Sequence, residues 1–284
     1  MTKSALSTTF TIGVLALQGA FSEHIQLLRQ ATSTFNAAHT TEYQWQLLEV
    51  RTPEQLSRCD ALIIPGGEST TISLVAARSG MLEPLREFVK VHRKSTWGTC
   101  AGLILLSESA NRTKKGGQEL IGGLDVRVNR NHFGRQTESF EAKLDLPFLE
   151  VPGVRQPREP FHSVFIRAPV VEKILPKREG IQLEEAEKSE TVVAPSKHPK
   201  DDVARQAIKA DVEIMARLPG NANALSKNEA TAADVGEEGD IIAVRQGNVF
   251  ATSFHPELTG DARIHGWWLG EVVKLVEQRR AVSI

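Results

Sequence analysis

Short apolar runs alternate with amphipathic stretches through the N-terminal half of this chain, the pattern of a parallel sheet covered on both faces by helices. Ile12 to Leu17 predicts the first strand, Trp45 to Val50 the second and Ala61 to Ile64 the third. Ser22 to Gln30, Thr70 to Ala77 and Glu83 to His92 have helical spacing of apolar positions. A fourth strand should end at Cys100 and turn into a helix over Leu103 to Glu108. The second half is richer in strand patterns: Leu124 to Asn129, Phe140 to Leu144, Val164 to Ala168, Ile241 to Arg245 and Val249 to Phe254. A last helix, Ile264 to Gln278, carries Trp267, Trp268, Leu269, Val272, Val273 and Val276, a spread that suits packing on a sheet. These elements predict one three-layer α/β domain over residues 10–280, and there is no internal repeat.

One stretch departs from this pattern. Glu172 to Asp240 contains no Phe, Trp or Tyr and is dominated by Lys, Glu, Asp, Ala and Ser. Such a segment has little to bury, so a charged, flexible insertion is expected over about 172–240, with Val212 to Ala216 as its one strand. Composition adds exclusions. With 34 basic and 35 acidic residues no basic face is advertised, and neither nucleic acid nor an anionic membrane is expected as a partner. Phe10 to Leu17 is too short to span a bilayer, which takes about 20 residues. As a buried strand it belongs to a cytoplasmic protein; as a signal-peptide core it would be removed with Gln18-Gly19. Two cysteines, Cys59 and Cys100, make no disulfide framework and fit a reducing compartment.

The chemistry concentrates at the carboxyl ends of the predicted strands, where open α/β sheets gather their ligand sites. Gly98-Thr99-Cys100-Ala101-Gly102 has the form of a nucleophile elbow, with glycines permitting a sharp strand-to-helix turn that exposes the sulfur. A helix start beyond it favours a thiolate and offers the Ala101 N–H to an oxyanion. Downstream, His255-Pro256-Glu257 follows an apolar strand. A residue before proline is pushed towards extended backbone, so His255 and Glu257 should share a face, the carboxylate orienting the imidazole. Pro65-Gly66-Gly67-Glu68-Ser69-Thr70-Thr71 lies between a strand and a helix; it lacks the Gly-Lys-Ser/Thr of a phosphate loop and suits an oxyanion hole and a polar clamp. Cys59 and the remaining histidines, His24, His39, His92, His132, His162, His198 and His265, lack such surroundings and are expected to be structural or exposed. No metal-ligand spacing of Cys and His occurs, and no metal is expected.

Those segments resemble class I glutamine amidotransferase domains, which share a flavodoxin-like fold with a central, mostly parallel sheet. More narrowly, Leu15-Ala16-Leu17-Gln18-Gly19-Ala20, the Pro65 to Thr71 loop, the Cys100 elbow, Arg130-Asn131-His132-Phe133-Gly134-Arg135-Gln136, Val164-Phe165-Ile166-Arg167-Ala168-Pro169 and Ser253 to Thr259 are similar to the glutaminase subunits of pyridoxal 5′-phosphate synthases. The resemblance implies hydrolysis of L-glutamine to glutamate and ammonia through a thioester on Cys100, with His255 as acid and base and Glu257 as its orienter. It implies an oxyanion hole from Gly67 and Ala101, completed by the Gln18-Gly19 loop. Glutamine would be held by Gly67, Glu68, Ser69, Arg130, Ile166 and Arg167. It further implies a synthase subunit as activating partner and ammonia acceptor in vitamin B6 biosynthesis, with no cofactor on this chain. Service to another synthase, such as that for imidazole glycerol phosphate, or a silent scaffold are the alternatives. The 172–240 stretch and the segments around Asn36 to Gln44 and Glu150 to Pro160 are longer than compact members of the family require.

Overall fold

The computed structural model describes residues 8–39, 43–112, 118–130, 139–149, 159–178, 180–218 and 239–282. In chain order the first half runs β1 (Thr9–Leu15), α1 (Phe21–Ala38), β2 (Gln44–Val50), α2 (Pro53–Ser57), β3 (Ala61–Ile64), α3 (Ser69–Arg78), α4 (Leu82–Arg86) with a π turn over Glu87–Val91, β4 (Ser95–Thr99) and α5 (Ala101–Leu106). The second half runs β5 (Ser107–Asn111), β6 (Leu124–Asn129), β7 (Ser139–Leu144), β8 (Phe161–Ile166), β9 (Val170–Ile174), α6 (Leu183–Ala186), β10 (Thr191–Val193), α7 (Asp202–Lys209), β11 (Val212–Leu218), β12 (Asp240–Gln246), β13 (Val249–Thr252) and α8 (Arg263–Val282).

Strands β2, β1, β3, β4 and β13 lie side by side in that order and all parallel. This is the flavodoxin-like order, which places a topological switch beside β1 and β3. Residues alternate between two cores, as period-two side chains must. Phe10, Ile12, Val14, Ala61 and Ile63 face the α1 and α8 layer, whereas Leu15, Leu62 and Ile64 face the α3, α4 and α5 layer. Beyond β13 the sheet continues through β12 and β9 to β6, β5 and β10, with β11 paired to β12. The added pairings are antiparallel apart from β5 with β6. β7 and β8 pair antiparallel as a separate two-stranded sheet.

Two expectations change. The helix after Cys100 stops at Leu106, and Ser107 and Glu108 enter β5, a strand that polar composition conceals. Its buried Glu108 is compensated by Lys90 Nζ at 2.8 Å and by the Gly123 N–H at 2.8 Å. The aromatic-free stretch is also more built than expected. Its described part supplies β10 at the edge of the sheet, α7, and β11 against β12, whereas residues 219–238 lie outside the described residues. Residues 131–138, which include all of the Arg130 to Gln136 motif after Arg130, and residues 40–42 and 150–158 likewise lie outside them. Among the described residues no helix is long and apolar enough to cross a membrane.

Candidate active site

Cys100 sits between β4 and α5 with φ +46°, in backbone that non-glycine residues rarely adopt. The flanking glycines explain how the chain turns there. A Cβ on Gly98 would lie 2.5 Å from the Gly102 carbonyl carbon, and one on Gly102 would lie 2.2 Å from the Ile64 oxygen. Any side chain at either position would therefore push the strand away from the helix. The Cys100 N–H donates to the Thr252 oxygen at 2.8 Å, which pins the elbow to β13. Thr99 does more than stay small: its Oγ1 accepts the Gly66 N–H at 2.8 Å, fastening the Pro65 to Thr71 loop to the elbow. Cys59 behaves as the sequence suggested for a structural thiol, since burial pushes it up to about 11 and its sulfur donates to the Gln55 oxygen.

β13 delivers the base from the neighbouring parallel strand. His255 lies outside the helical region, as its place before proline favours, but at φ −106°, ψ 83° it is not extended, and Pro256–Leu258 forms a 3-10 turn rather than continuing an extended run. That turn still brings Glu257 back under the ring: His255 Nδ1 lies 2.8 Å from Glu257 Oε1. Donation from Nδ1 leaves Nε2 for the cysteine. Burial pulls the His255 pKa down, but hydrogen bonds and charge from Cys100 and Glu257 outweigh it and raise it to about 10. Gly66 closes over the ring, for a Cβ there would meet His255 Cε1 at 2.2 Å. The arrangement is a buried thiol–imidazole–carboxylate triad, with Cys100, His255 and Glu257 all less than a tenth exposed.

Cys100 and His255 open onto a cavity of about 740 Å³. Its wall includes Gly19, Gly67, Glu68, Ser69, Ala101, Arg130, Ile166 and Arg167, so nearly every residue singled out from the sequence converges there. Gln18 and Glu257 stand behind that wall. Gln18 Oε1 accepts the Glu68 N–H at 2.9 Å, locking the β1 and β3 loops together. The Glu68 carboxylate caps α3 instead of pointing free into the cavity, accepting from the Thr70 and Thr71 amides and the Thr71 hydroxyl. Ser69 Oγ donates to Gln118 Oε1 at 3.3 Å. Arg130 brings unpaired donors to this wall. It is 7% exposed, and its Nε and Nη2 have no hydrogen-bond partner among the described residues. Burial lowers its guanidinium to about 10, with Glu68 opposing, so it stays cationic at neutral pH. Ile166 contributes a backbone oxygen 3.9 Å from Cys100 Sγ, and Arg167 follows at φ +44°.

Sequence reasoning missed two residues behind the triad. His24 Nε2 lies 3.4 Å from Glu257 Oε2, and His24 Nδ1 lies 2.9 Å from His265 Nε2. Their signal was faint: His24 shares a face of α1 with Leu27, Leu28 and Ala31, the spacing of a buried stripe. Among the described residues no group of three or more His, Cys, Asp or Glu side chains is spaced to hold a metal ion.

Comparison with known proteins agrees with this chemistry. A profile of the SNO glutamine amidotransferase family matches residues 14–200 and 203–274. The chain is 39% identical over 279 residues to the "Probable pyridoxal 5'-phosphate synthase subunit PDX2" of Arabidopsis thaliana, covering 96% of this chain and 89% of that one. It is 37% identical over 263 residues to the "Pyridoxal 5'-phosphate synthase subunit SNO1" of Saccharomyces cerevisiae, covering 92% of each. A solved structure described as "Crystal structure of glutamine amidotransferase" is 33% identical, with a TM-score of 0.59 over 92% of this chain and 98% of that chain. With a profile match across most of its length and a triad on the corresponding fold, the chain belongs to the SNO glutamine amidotransferase family.

Proposed function

We propose that the chain is the glutaminase subunit of a pyridoxal 5′-phosphate synthase, with Cys100, His255 and Glu257 as its catalytic residues. The observation that carries this reading is the Glu257-oriented His255 sharing with Cys100 the wall of a cavity of about 740 Å³. The Cys100 thiolate attacks the side-chain carbonyl carbon of L-glutamine. The oxyanion that forms is stabilised by the N–H groups of Gly67, whose amide makes no hydrogen bond among the described residues, and of Ala101, which as the first residue of α5 has no intrahelical acceptor. The Gln18-Gly19 loop packs directly on this site, since a Cβ on Gly19 would meet the Gly66 oxygen at 1.9 Å. Imidazolium at His255 gives its proton to the departing ammonia, leaving a glutamyl thioester; neutral His255 then activates water and glutamate is released.

Arg130 and Arg167 take the α-carboxylate of glutamine, a task suited to a planar guanidinium fork. Gly67, Ser69, Ile166 and the backbone of Glu68 hold the remainder of the substrate. The partner is a pyridoxal 5′-phosphate synthase subunit, as the names of the relatives suggest, in the cytoplasm and within residues 10–280 acting as one domain. Ammonia released into bulk water would protonate and cease to be a nucleophile, which gives a handover to the partner its physical reason. The test is glutamate release from L-glutamine, measured with and without an added synthase subunit. Activity that rises with the partner and disappears in Cys100→Ala is expected. Release unaffected by either change would overturn the proposal.

A further inference from the structure

Behind the triad lies a fully buried pair of histidines that the reaction as written does not use. His24, in the first turn of α1, and His265, in the first turn of α8, are both 0% exposed. Trp97 packs edge-on against them, with ring centroids 5.6 Å from His24 and 4.8 Å from His265. His24 Nε2 stands 3.4 Å from Glu257 Oε2 and 3.3 Å from Thr99 Oγ1, and its Nδ1 is 2.9 Å from His265 Nε2. Glu257 Oε2 and His265 Nδ1 have no hydrogen-bond partner among the described residues.

These contacts select one arrangement of protons. If His24 carried its hydrogen on Nδ1, it would donate to His265 Nε2, leaving a lone pair on His24 Nε2 facing the carboxylate. His265 would then bear its own hydrogen on Nδ1, a buried N–H with no acceptor, which folded proteins avoid. With hydrogens on both Nε2 atoms, His265 donates to His24, and His24 donates towards Glu257 Oε2 and Thr99 Oγ1. His265 Nδ1 is then left with an acceptor lone pair in place of an unpaired N–H, the cheaper defect at that atom.

We propose that His24 is a positioning residue of the glutaminase, held in its Nε2–H tautomer by His265. His24 Nε2 stands 3.4 Å from the second oxygen of Glu257, an electrostatic contact that keeps the first on His255. The proposal rests on the triad reading above. Because both histidines are neutral donors, they orient the carboxylate without competing with His255 for its charge; burial lowers the pKa of each, to about 3 at His265. His24 also reaches Thr99, which holds Gly66, so one side chain braces the orienting carboxylate and the elbow-to-loop contact together. The support is the kind that outer contacts give a catalytic group, whose loss typically costs about 10–100-fold in activity.

The test uses the full chain with its synthase partner and compares wild type, His24→Leu, His24→Gln and Cys100→Ala. His24→Leu should lower kcat about 10–100-fold with KM for glutamine within about twofold. His24→Gln, which can donate to Glu257 and accept from His265, should recover most of the loss. A KM effect without a kcat effect, or a Gln variant no better than Leu, overturns the proposal. Should His24→Leu fail to fold, ring ¹⁵N shifts of the wild-type chain at neutral pH decide it: neutral Nε2–H at both histidines supports the proposal, and Nδ1–H at His24 or a charged ring at either defeats it. Activity remaining in Cys100→Ala would mean that the triad reading itself has failed.

Discussion

The two sides of Cys100 are built differently. On the base side, His255, Glu257, Thr99, His24 and His265 are all buried and touch one another through short contacts set by β4, β13, α1 and α8. On the proposed glutamine side, the wall comes from loops and the ends of α3, α5 and β8, Ile166 is 40% exposed, and the Arg130 guanidinium holds donors in reserve. Proton transfer needs geometry fixed before the substrate arrives, and the core supplies that rigidity. Recognition needs donors that are unpaired until the ligand brings its acceptors, and Arg130, just past the end of β6, supplies those.

The contrast breaks first on the base side. Glu257→Gln keeps the shape but removes the charge that stabilises imidazolium, so kcat should fall on the order of 10³–10⁴-fold with little change in KM. Steady-state glutamate release with the synthase present measures this, and a loss confined to KM would put Glu257 on the wrong side of the comparison. On the glutamine side, Arg130→Ala should raise KM about 10–100-fold, the worth of hydrogen bonds to a charged group, with a smaller change in kcat. Arg130→Lys should recover only part, because an ammonium lacks the fork. An unchanged KM in Arg130→Ala would remove this residue from the substrate site.

A smaller effect appears in stability against pH. His24 and His265 are lowered from 6.5 in the folded state, His265 to about 3, so they penalise folding progressively as pH falls below about 6.5. His255 is raised from 6.5 to about 10, so the stability it adds is complete below about 6.5 and is lost as pH rises through about 10. Each group contributes a slope of at most about 1.4 kcal/mol per pH unit. Denaturant unfolding across pH should therefore show Cys100→Ala, which removes a partner of His255, losing less stability than wild type between about pH 6.5 and 10. Identical alkaline limbs in the two proteins would contradict the coupling.

Much of this was legible in the sequence, for identifiable reasons. The parallel block declared itself through continuous apolar runs such as Ala61 to Ile64, and the elbow through glycines whose absent side chains make room for Ile64 and Gly102. Pro256 marked the base. β5 was hidden because Ser107, Glu108 and Ser109 are polar yet buried, a placement that depends on Lys90 from a distant helix. β10 was hidden for a related reason: as an antiparallel addition at the edge it needs few large apolar side chains of its own, whereas the alternation of Val212 to Ala216 did announce β11. His24 and His265 lie 241 positions apart, and only the packing of α1 on α8 turns two ordinary histidines into a support for Glu257. Glu68 shows the opposite case, a residue assigned to the ligand whose carboxylate is committed to capping α3.

The most direct test of the account is to trap the intermediate. The chain with its synthase partner would be mixed with L-glutamine, quenched in acid within the first turnovers and digested, and the peptide bearing Cys100 weighed. A mass gain of one glutamyl group on Cys100, absent in Cys100→Ser, is the predicted result. Glutamate formation that proceeds with no adduct on Cys100, and at the same rate in Cys100→Ser, would contradict it.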